Sequence, residues 1–461
     1  MKLGFLALGR ATFDVDFANE KLTQCLEKLY KTNHQLYGCN NLLLEESDTL
    51  REIKKLKKIN LDKILVLQIT FTDAVIISKL SKDFKIPILI WSVPEPRLGG
   101  RLRLNSFCGL NLASHSLSIN KKSFSWIYND PQKIDNKDLN KFLNNNKNLT
   151  KLTAKIKRKI VSNDIKIIQA KVNSFNITKI GNHPDGFETC SYDPQLLSKK
   201  FGININEIGL NILFDESNKI EIHKMNEVKK NLKNSIIELE NLNKKEIDLS
   251  IKLKLALDNV QKEYNTDGFA IRCWPEMFTE YGAAICAPAA MMGENNIPCA
   301  CEADVYGSLT QLILQEISKS SVFLTDIVDV DVHDNTAVVW HCGQAPISMA
   351  PKKSKPKATI HTNRKKPLLF EFPLKPGKIT MMRISKSFNE HKMVISTGEM
   401  LERKMAFTGT SGVVKFEKSA EIFLNNLINS GLEHHMALCY GDHREKLEEL
   451  AFSLKLPILY I

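Results

Sequence analysis

The sequence has no stretch that reaches the ~18 uncharged apolar residues a membrane-crossing helix needs, so no membrane partner is expected. Its ten cysteines, at 25, 39, 108, 190, 273, 286, 299, 301, 342 and 439, include no C-x-x-C pair. The opening Met1–Arg10 is apolar but lacks a basic n-region and a small-residue cleavage site, and it reads as a first strand. Scattered thiols without a secretory leader point to reduced cysteines and a cytoplasmic location. Cys299 and Cys301 form a C-x-C with no second pair at zinc-site spacing, so they read as small residues on a buried strand. Gly99-Gly100 has neither G-x-G-x-x-G nor Walker spacing, which leaves a dinucleotide or ATP unsupported. No G-x-S-x-G is present for a serine hydrolase of that fold.

What is present is ordinary for a soluble globular chain. The 461 residues are 43% hydrophobic and 25% charged, enough for about three domains at ~150 residues each. Disordered, collagenous and coiled-coil classes are excluded. The net charge of +12 comes largely from Lys-rich patches such as Lys121-Lys122, Lys151 to Lys159 and Lys352 to Lys366. No aromatic-interleaved basic motif accompanies them, so nucleic acid is not an expected partner.

The first third alternates strand and helix patterns. Leu3–Leu8, Lys63–Ile69 and Pro87–Trp91 read as buried strands; Phe17–Tyr30 and Ala74–Phe84 read as helices. That alternation predicts a parallel sheet with covered faces. Ligands of such sheets bind beyond the carboxyl ends of the strands, which makes Thr70–Asp73 and Ser92–Arg101 candidate site walls. Asn129–Ser162 is polar and leads to a boundary near residue 160. A second α/β pattern follows: Phe175–Ile180 before a Gly/Pro loop (Gly181–Phe187), helices at Pro194–Phe201 and Glu216–Leu257, a strand at Gly268–Cys273 and a helix at Ala283–Glu294. After about residue 300, short β runs at Ser321–Thr325, Thr336–Trp340, Leu368–Phe372, Ile379–Ile384 and Lys392–Ser396 predict a mainly β, barrel- or sandwich-like domain closed by a helix at His443–Leu454. The expected division is 1–160 and 161–296 for two α/β domains and 297–461 for the third.

Two segments concentrate catalytic residue types. Cys273–Asp304 carries Trp274-Pro275-Glu276 after a strand, then Glu302 and Asp304 before Gly307. On an extended segment the latter two would share a face. Glu433-His434-His435 precedes Gly441-Asp442-His443. Carboxylates with imidazole suit Mg²⁺, Mn²⁺ or Co²⁺ rather than a thiolate site. The same residues also have structural readings: Asp304 as a helix N-cap, the His pair as surface residues. His341 and Cys342 are adjacent on a strand and therefore poor partners for each other, and His183 in the Gly/Pro loop is either a substrate contact or merely exposed.

In combination these segments resemble the L-fucose isomerase/L-arabinose isomerase superfamily, in its fucose-isomerase-like branch. The matching pieces are Gly181–Phe187 (GNHPDGF), Cys273–Glu276 (CWPE), Cys301–Thr310 (CEADVYGSLT), Trp340–Pro346 (WHCGQAP), Pro376–Ser385 (PGKITMMRIS) and Leu432–Asp442 (LEHHMALCYGD), with Asn105–Gly109 (NSFCG) nearer the start. The resemblance implies two Rossmann-like α/β domains followed by a mainly β domain, and a Mn²⁺-dependent aldose–ketose isomerase acting on a fucose- or arabinose-type sugar or a derivative, with Co²⁺ or Mg²⁺ as substitutes. It also implies a Glu, an Asp and a His as metal ligands: Glu276 (Glu280 the runner-up), Asp304, and His435, which stands six residues before Gly441. Glu276 and Asp304 would then double as the base and acid of a cis-enediol pathway, while a hydride shift would need no such base. Glu302, His183, His434, Trp274 and His341 would contact substrate or orient a ligand. The family assembles as trimers or hexamers, so a homo-oligomer is expected. The rival reading is a non-catalytic cytosolic sugar-binding paralogue.

Overall fold

A computed structural model of the chain describes residues 1–145 and 152–461; Lys151, where one Lys-rich patch begins, lies outside them. The chain builds three sheets. The first is all parallel, in the order β2-β1-β3-β4-β5, from β1 (Lys2–Leu8), β2 (Gln35–Gly38), β3 (Lys63–Gln68), β4 (Ile88–Ser92) and β5 (Phe124–Tyr128). β3 and β4 are buried at every position, as continuous KILVLQ and ILIWS runs require when helices cover both faces. This strand order reverses direction between β1 and β3, and open α/β sheets bind ligands at that switch point.

The second sheet is also parallel, in the order β7-β6-β8-β9, from β6 (Asn176–Ile180), β7 (Asn204–Ile208), β8 (Gly268–Ile271) and the short β9 (Cys299–Ala300). The long helix expected over Glu216–Leu257 is instead three: Leu210–Asn218, Ile222–Ser235 and Lys244–Glu263. Extended Glu221 and Ile236 separate them, and Asn243 caps the last by accepting from the backbone N–H of Lys245 and Glu246. With no Gly or Pro in the segment, those breaks left no punctuation in the sequence.

The third sheet is mixed and large. It orders β10 (Phe323–Asp331), β11 (Thr336–His341), β12 (Lys357–Thr359), β13 (Leu369–Pro373), β14 (Gly377–Ser385), β15 (Lys392–Met400), β16 (Thr410–Phe416), β17 (His435–Tyr440) and β18 (Ile458–Tyr460) as β12-β13-β16-β11-β10-β17-β14-β15-β18. β15 also pairs with β16. Each β run expected beyond residue 300 overlaps one of these strands, and the closing helix is Arg444–Ser453.

The sheets share cores. One apolar cluster runs from Leu6, Val66 and Ile90 of the first sheet to Phe323, Met381 and Val414 of the third; another joins Ile177 and Ala270 of the second to Met382 and Ile395. The helix Ser106–Ile119 is buried along nearly its whole length. It is bolted to the strand that carries the histidines: Asn111 Nδ2 donates to the carbonyl of Leu432 at 2.7 Å, and His115 Nδ1 lies 2.9 Å from the carbonyl oxygen of Gly431. Gly431 has φ +51° and leaves no room for a side chain against Ser118, so a glycine permits this approach. Among the described residues, no helix is long and apolar enough to cross a membrane.

Candidate active site

The ends of strands from all three sheets converge on one cleft of about 920 Å³, counting its open mouth. The switch point of the first sheet contributes Arg10 and Phe13 after β1 and Phe71 after β3. The second contributes Phe187 after β6, Cys273 and Trp274 after β8, and Cys301 and Glu302 after β9. The third contributes Asp326 from β10, Trp340 and His341 from β11, and His434 immediately before β17. Of the loops named as walls, Thr70–Asp73 supplies Phe71, whereas Ser92–Arg101 lines no part of the cleft.

The segment Cys301–Ala303 is a tight turn, with Glu302 at φ 59° and Ala303 at φ 53°. Glu302 and Asp304 therefore do not share a face. Asp304, completely buried, is bound by Arg383 at 2.6 and 3.0 Å, caps the helix Val305–Ser318 through Gly307 N–H at 2.8 Å, and lies 2.9 Å from His435 Nδ1. A Cβ on Gly307 would stand 2.6 Å from the Asp304 carboxylate, so this cap needs a glycine there. Asp304 thus faces inward and holds the imidazole from behind.

Glu302 faces the cleft. Its Oε1 accepts from Trp274 Nε1 at 3.2 Å, and its Oε2 lies 2.9 Å from His434 Nε2 and 3.8 Å from His435 Nε2. Asp326 sits directly opposite His435 in the β10–β17 ladder, so both side chains leave the sheet on one face; its Oδ1 is 3.6 Å from His435 Nε2. Among the described residues, His435 Nε2, Asp326 Oδ1 and His434 Nδ1 are buried with no hydrogen-bond partner. Unpaired buried polar atoms are costly, and two of them, His435 Nε2 and Asp326 Oδ1, face each other beside Glu302. Cys190 Sγ also lies within 4.8 Å of the donor atoms of Glu302, His434 and His435. The oxygen and imidazole donors of Glu302, His434 and His435 lie close enough together to fit a divalent cation, and Asp326 borders them through His435.

Burial by itself would raise the Glu302 carboxyl, but the His434 hydrogen bond and the charges of His434, His435 and His341 hold it down at about 2. Burial raises Asp326, only partly offset by His435 and His434. Burial opposes a charged His435, yet its bond to Asp304 and the charges of Asp326 and Glu302 raise it. The two cleft carboxylates are thus pushed in opposite directions.

The remaining expected residues fall as follows. Trp274 and His341 line the cleft. Cys342 lines it as well, its backbone N–H donating to His341 Nδ1 at 2.8 Å. Glu276 is held by Arg272 at 2.6 and 2.7 Å, outside the cleft. Glu280 is exposed in the turn Met277–Tyr281. His183 bonds its ring to the neighbouring Pro184 carbonyl and also lies outside the cleft. Asp326 was not foreseen. The available signal was a carboxylate inside an otherwise buried strand, FLTDIVDVD, where charged residues are rarely placed without a task.

Residues 4–157 match the family model described as fucose/sulfoquinovose isomerase, N-terminal domain, and residues 339–461 match that of the L-fucose isomerase C-terminal domain. The chain belongs to the fucose isomerase-like family. Its relatives include proteins named sulfoquinovose isomerase. That of Priestia megaterium is 29% identical over 454 residues, covering 98% of this chain and 97% of that protein. Those of Alkalicoccus urumqiensis and Clostridium sp. strain MSTE9 are each 28% identical, over 99% of this chain and 98% of theirs. The two family-matched segments meet in the cleft: Arg10 and Phe71 come from one, His341 and His434 from the other.

One wall of the cleft carries its own pH dependence. His361 Nδ1 accepts from the backbone N–H of Asn363 and Arg364, both at 3.2 Å, closing a turn that His361 and Lys366 also pin through their backbones. Burial, then the charges of Arg364 and Lys365, lower the imidazole from its ordinary 6.5 to about 3. The folded state therefore resists protonation that the unfolded chain accepts. The stability His361 contributes is fully present above pH 6.5 and is lost as pH falls from there toward 3. Asn at this position keeps an acceptor without a titration. We expect His361→Asn to match the wild type in urea unfolding at pH 7.5 and to exceed it at pH 4.5. Parallel pH profiles of the two proteins would refute this.

Proposed function

We propose that the protein is a metal-dependent aldose–ketose isomerase, and that sulfoquinovose, the aldose named for its relatives, is the first substrate to test. The observation that carries this reading is the cleft itself: the two carboxylates among its lining residues, Glu302 and Asp326, flank the imidazoles of His434 and His435. Glu302, Asp326 and His435 would hold the cation, with Mn²⁺ the expected ion and Co²⁺ or Mg²⁺ as substitutes. When bound, the cation polarises the sugar carbonyl and acidifies the neighbouring C–H. The base and acid roles that the resemblance gave to Glu276 and Asp304 go in this proposal to the carboxylates facing the cleft. Glu302, held ionised, removes the C2 proton to give a cis-enediolate whose hydroxyl proton passes from O2 to O1; Asp326 then gives the proton on its own carboxyl to C1, and solvent takes the proton from Glu302 and returns one to Asp326 before the next turnover. Asp304 and Arg383 keep His435 Nδ1 engaged so that Nε2 stays directed at the gap. Phe71, Phe187 and Trp274 wall the sugar off from bulk water.

The strand circuit closed by β15 and β16 supports the barrel-like reading of the C-terminal region, and the family resemblance supports a homo-oligomer. A solution mass that is a multiple of 52.3 kDa is expected.

The direct test incubates the purified protein with a panel of aldoses, with and without Mn²⁺, and measures ketose. Ketose is expected from sulfoquinovose with the metal and none after chelation. Run in D₂O, the product should carry deuterium at the carbon that received the proton. Full turnover in excess chelator would overturn the metal reading, and product free of solvent deuterium would favour a hydride shift over the Glu302–Asp326 relay.

A further inference from the structure

Two guanidinium groups rest on one indole in the cleft. Arg10 Cζ lies 5.7 Å and Arg364 Cζ 5.4 Å from the Trp274 ring, while the N–H edge of the same ring donates to Glu302. Arg10 is also 5.4 Å from the Phe71 ring and is ion-paired to Asp73. Arg364 is half-buried and, among the described residues, no carboxylate pairs with it. The nearby Arg10 charge adds to burial in disfavouring its charged form. Two like charges gathered in a desolvated cleft, with one carboxylate between them, leave a net positive site one indole away from the Glu302 end. Nothing in the first or third sheet requires this: among the described residues the Arg364 side chain has no hydrogen-bond partner, yet its turn is built tightly. The His361 ring accepts from the backbone N–H of Asn363 and Arg364, and the backbone of His361 is tied to Lys365 and Lys366. A flexible cation would remain solvated; this one is held in place, facing the cleft, without a partner.

We propose that Arg364, seconded by Arg10 across the Trp274 ring, is the specificity-determining anchor for an anionic group at the end of the sugar remote from the reacting carbons, with a sulfonate or phosphate monoester as the ligand chemistry. The assignment rests on the isomerase reading above. A planar guanidinium fork matches the oxygens of such a group, and the aromatic face beneath it holds the fork in register. Glu302 and Asp326 at one end and the two guanidiniums at the other fix which end of the chain meets the base. A neutral aldose of the same length would leave the Arg364 charge desolvated and unpaired, so the cleft also selects against it.

The experiment compares Arg364→Gln, Arg364→Lys and wild type, each first verified by its melting curve and bound Mn²⁺, on sulfoquinovose, on glucose 6-phosphate and on the uncharged 6-deoxyglucose. Losing a charge-assisted hydrogen bond costs about 10- to 100-fold in affinity. KM for the anionic sugars is expected to rise by that factor in Arg364→Gln with kcat little changed, Arg364→Lys should fall between, and 6-deoxyglucose, no longer facing an unpaired charge, should show a lower KM in Arg364→Gln than in wild type. The two anionic sugars distinguish sulfonate from phosphate as the natural group. Sulfoquinovose is also titrated against intrinsic tryptophan fluorescence, which reads binding without turnover. If wild type binds sulfoquinovose but isomerises nothing, the isomerase reading fails while a weakened titration in Arg364→Gln still upholds the anchor. If Arg364→Gln binds and turns over the anionic sugars as wild type does, the anchor is overturned and the isomerase reading stands.

Discussion

Asp326→Ala is expected to remove bound metal and ketose formation together. The Oδ1 of Asp326 is buried, has no hydrogen-bond partner and faces His435 Nε2 across 3.6 Å. Among the described residues, no other carboxylate of the third sheet enters the cleft. Truncation leaves the imidazole and Glu302 as an incomplete holding set, and it also removes the proposed acid. The fold should survive, because burial makes the ionised Asp326 carboxyl a cost to the native state rather than a support. Metal analysis of the purified variant, alongside its melting curve, checks this. A variant that retains stoichiometric Mn²⁺ and wild-type turnover would remove Asp326 from the site and return the choice to the other acids.

Asp304→Ala should instead damage the protein itself. Arg383 is 1% exposed and its guanidinium is bound on both nitrogens by Asp304. Removing the carboxylate strands a buried cation, which costs roughly 3–5 kcal/mol, and takes away the cap of the helix Val305–Ser318. Any activity left should drop by about 10- to 100-fold, because His435 Nδ1 also loses the group that orients it. Urea unfolding gives the first quantity and kinetics on the folded fraction the second. A loss below about 1 kcal/mol would mean that the Asp304–Arg383 pair is not the structural tie its geometry describes. The contrast between the two variants is the sharpest available, since one should unfold early while the other folds normally and lies empty of metal.

Much of this was legible in the sequence, for physical reasons that differ from place to place. Buried parallel strands announce themselves as apolar runs, and ILVL within KILVLQ and ILIW within ILIWS are such runs. The neighbourhoods of Trp274, Glu302, His341 and His434-His435 stood out because acids, imidazoles and glycines cluster there, and all four reach the cleft. The direction of each side chain was less accessible. Glu302 and Ala303 adopt left-handed backbone conformations that non-glycine residues seldom take, so an extended reading of that segment was the natural one and sent Glu302 and Asp304 to the same side. Asp326 escaped because local pattern sees a strand, whereas its relevance comes from the residue opposite it in a ladder formed with a distant part of the chain. Arg364 escaped for a related reason: in sequence it is one more cation in a Lys-rich stretch, and only the fold brings it onto Trp274.

The pairing of Asp326 with His435 has a consequence for how such a protein can diverge. Two adjacent antiparallel strands hold the acid and the imidazole in register, while the chain between them travels through β11 to β16 before it returns, including the tight His361–Lys366 turn. Insertions and deletions in the loops of that excursion leave the ladder untouched, whereas a slip of one residue in either strand would carry its donor to the opposite face. Chemistry and substrate recognition are therefore mounted on separately variable parts. The turn proposed to read the far end of the sugar can therefore change without moving the strands that carry the reacting end, and differences in substrate preference among proteins of this fold should lie in loops rather than in strands.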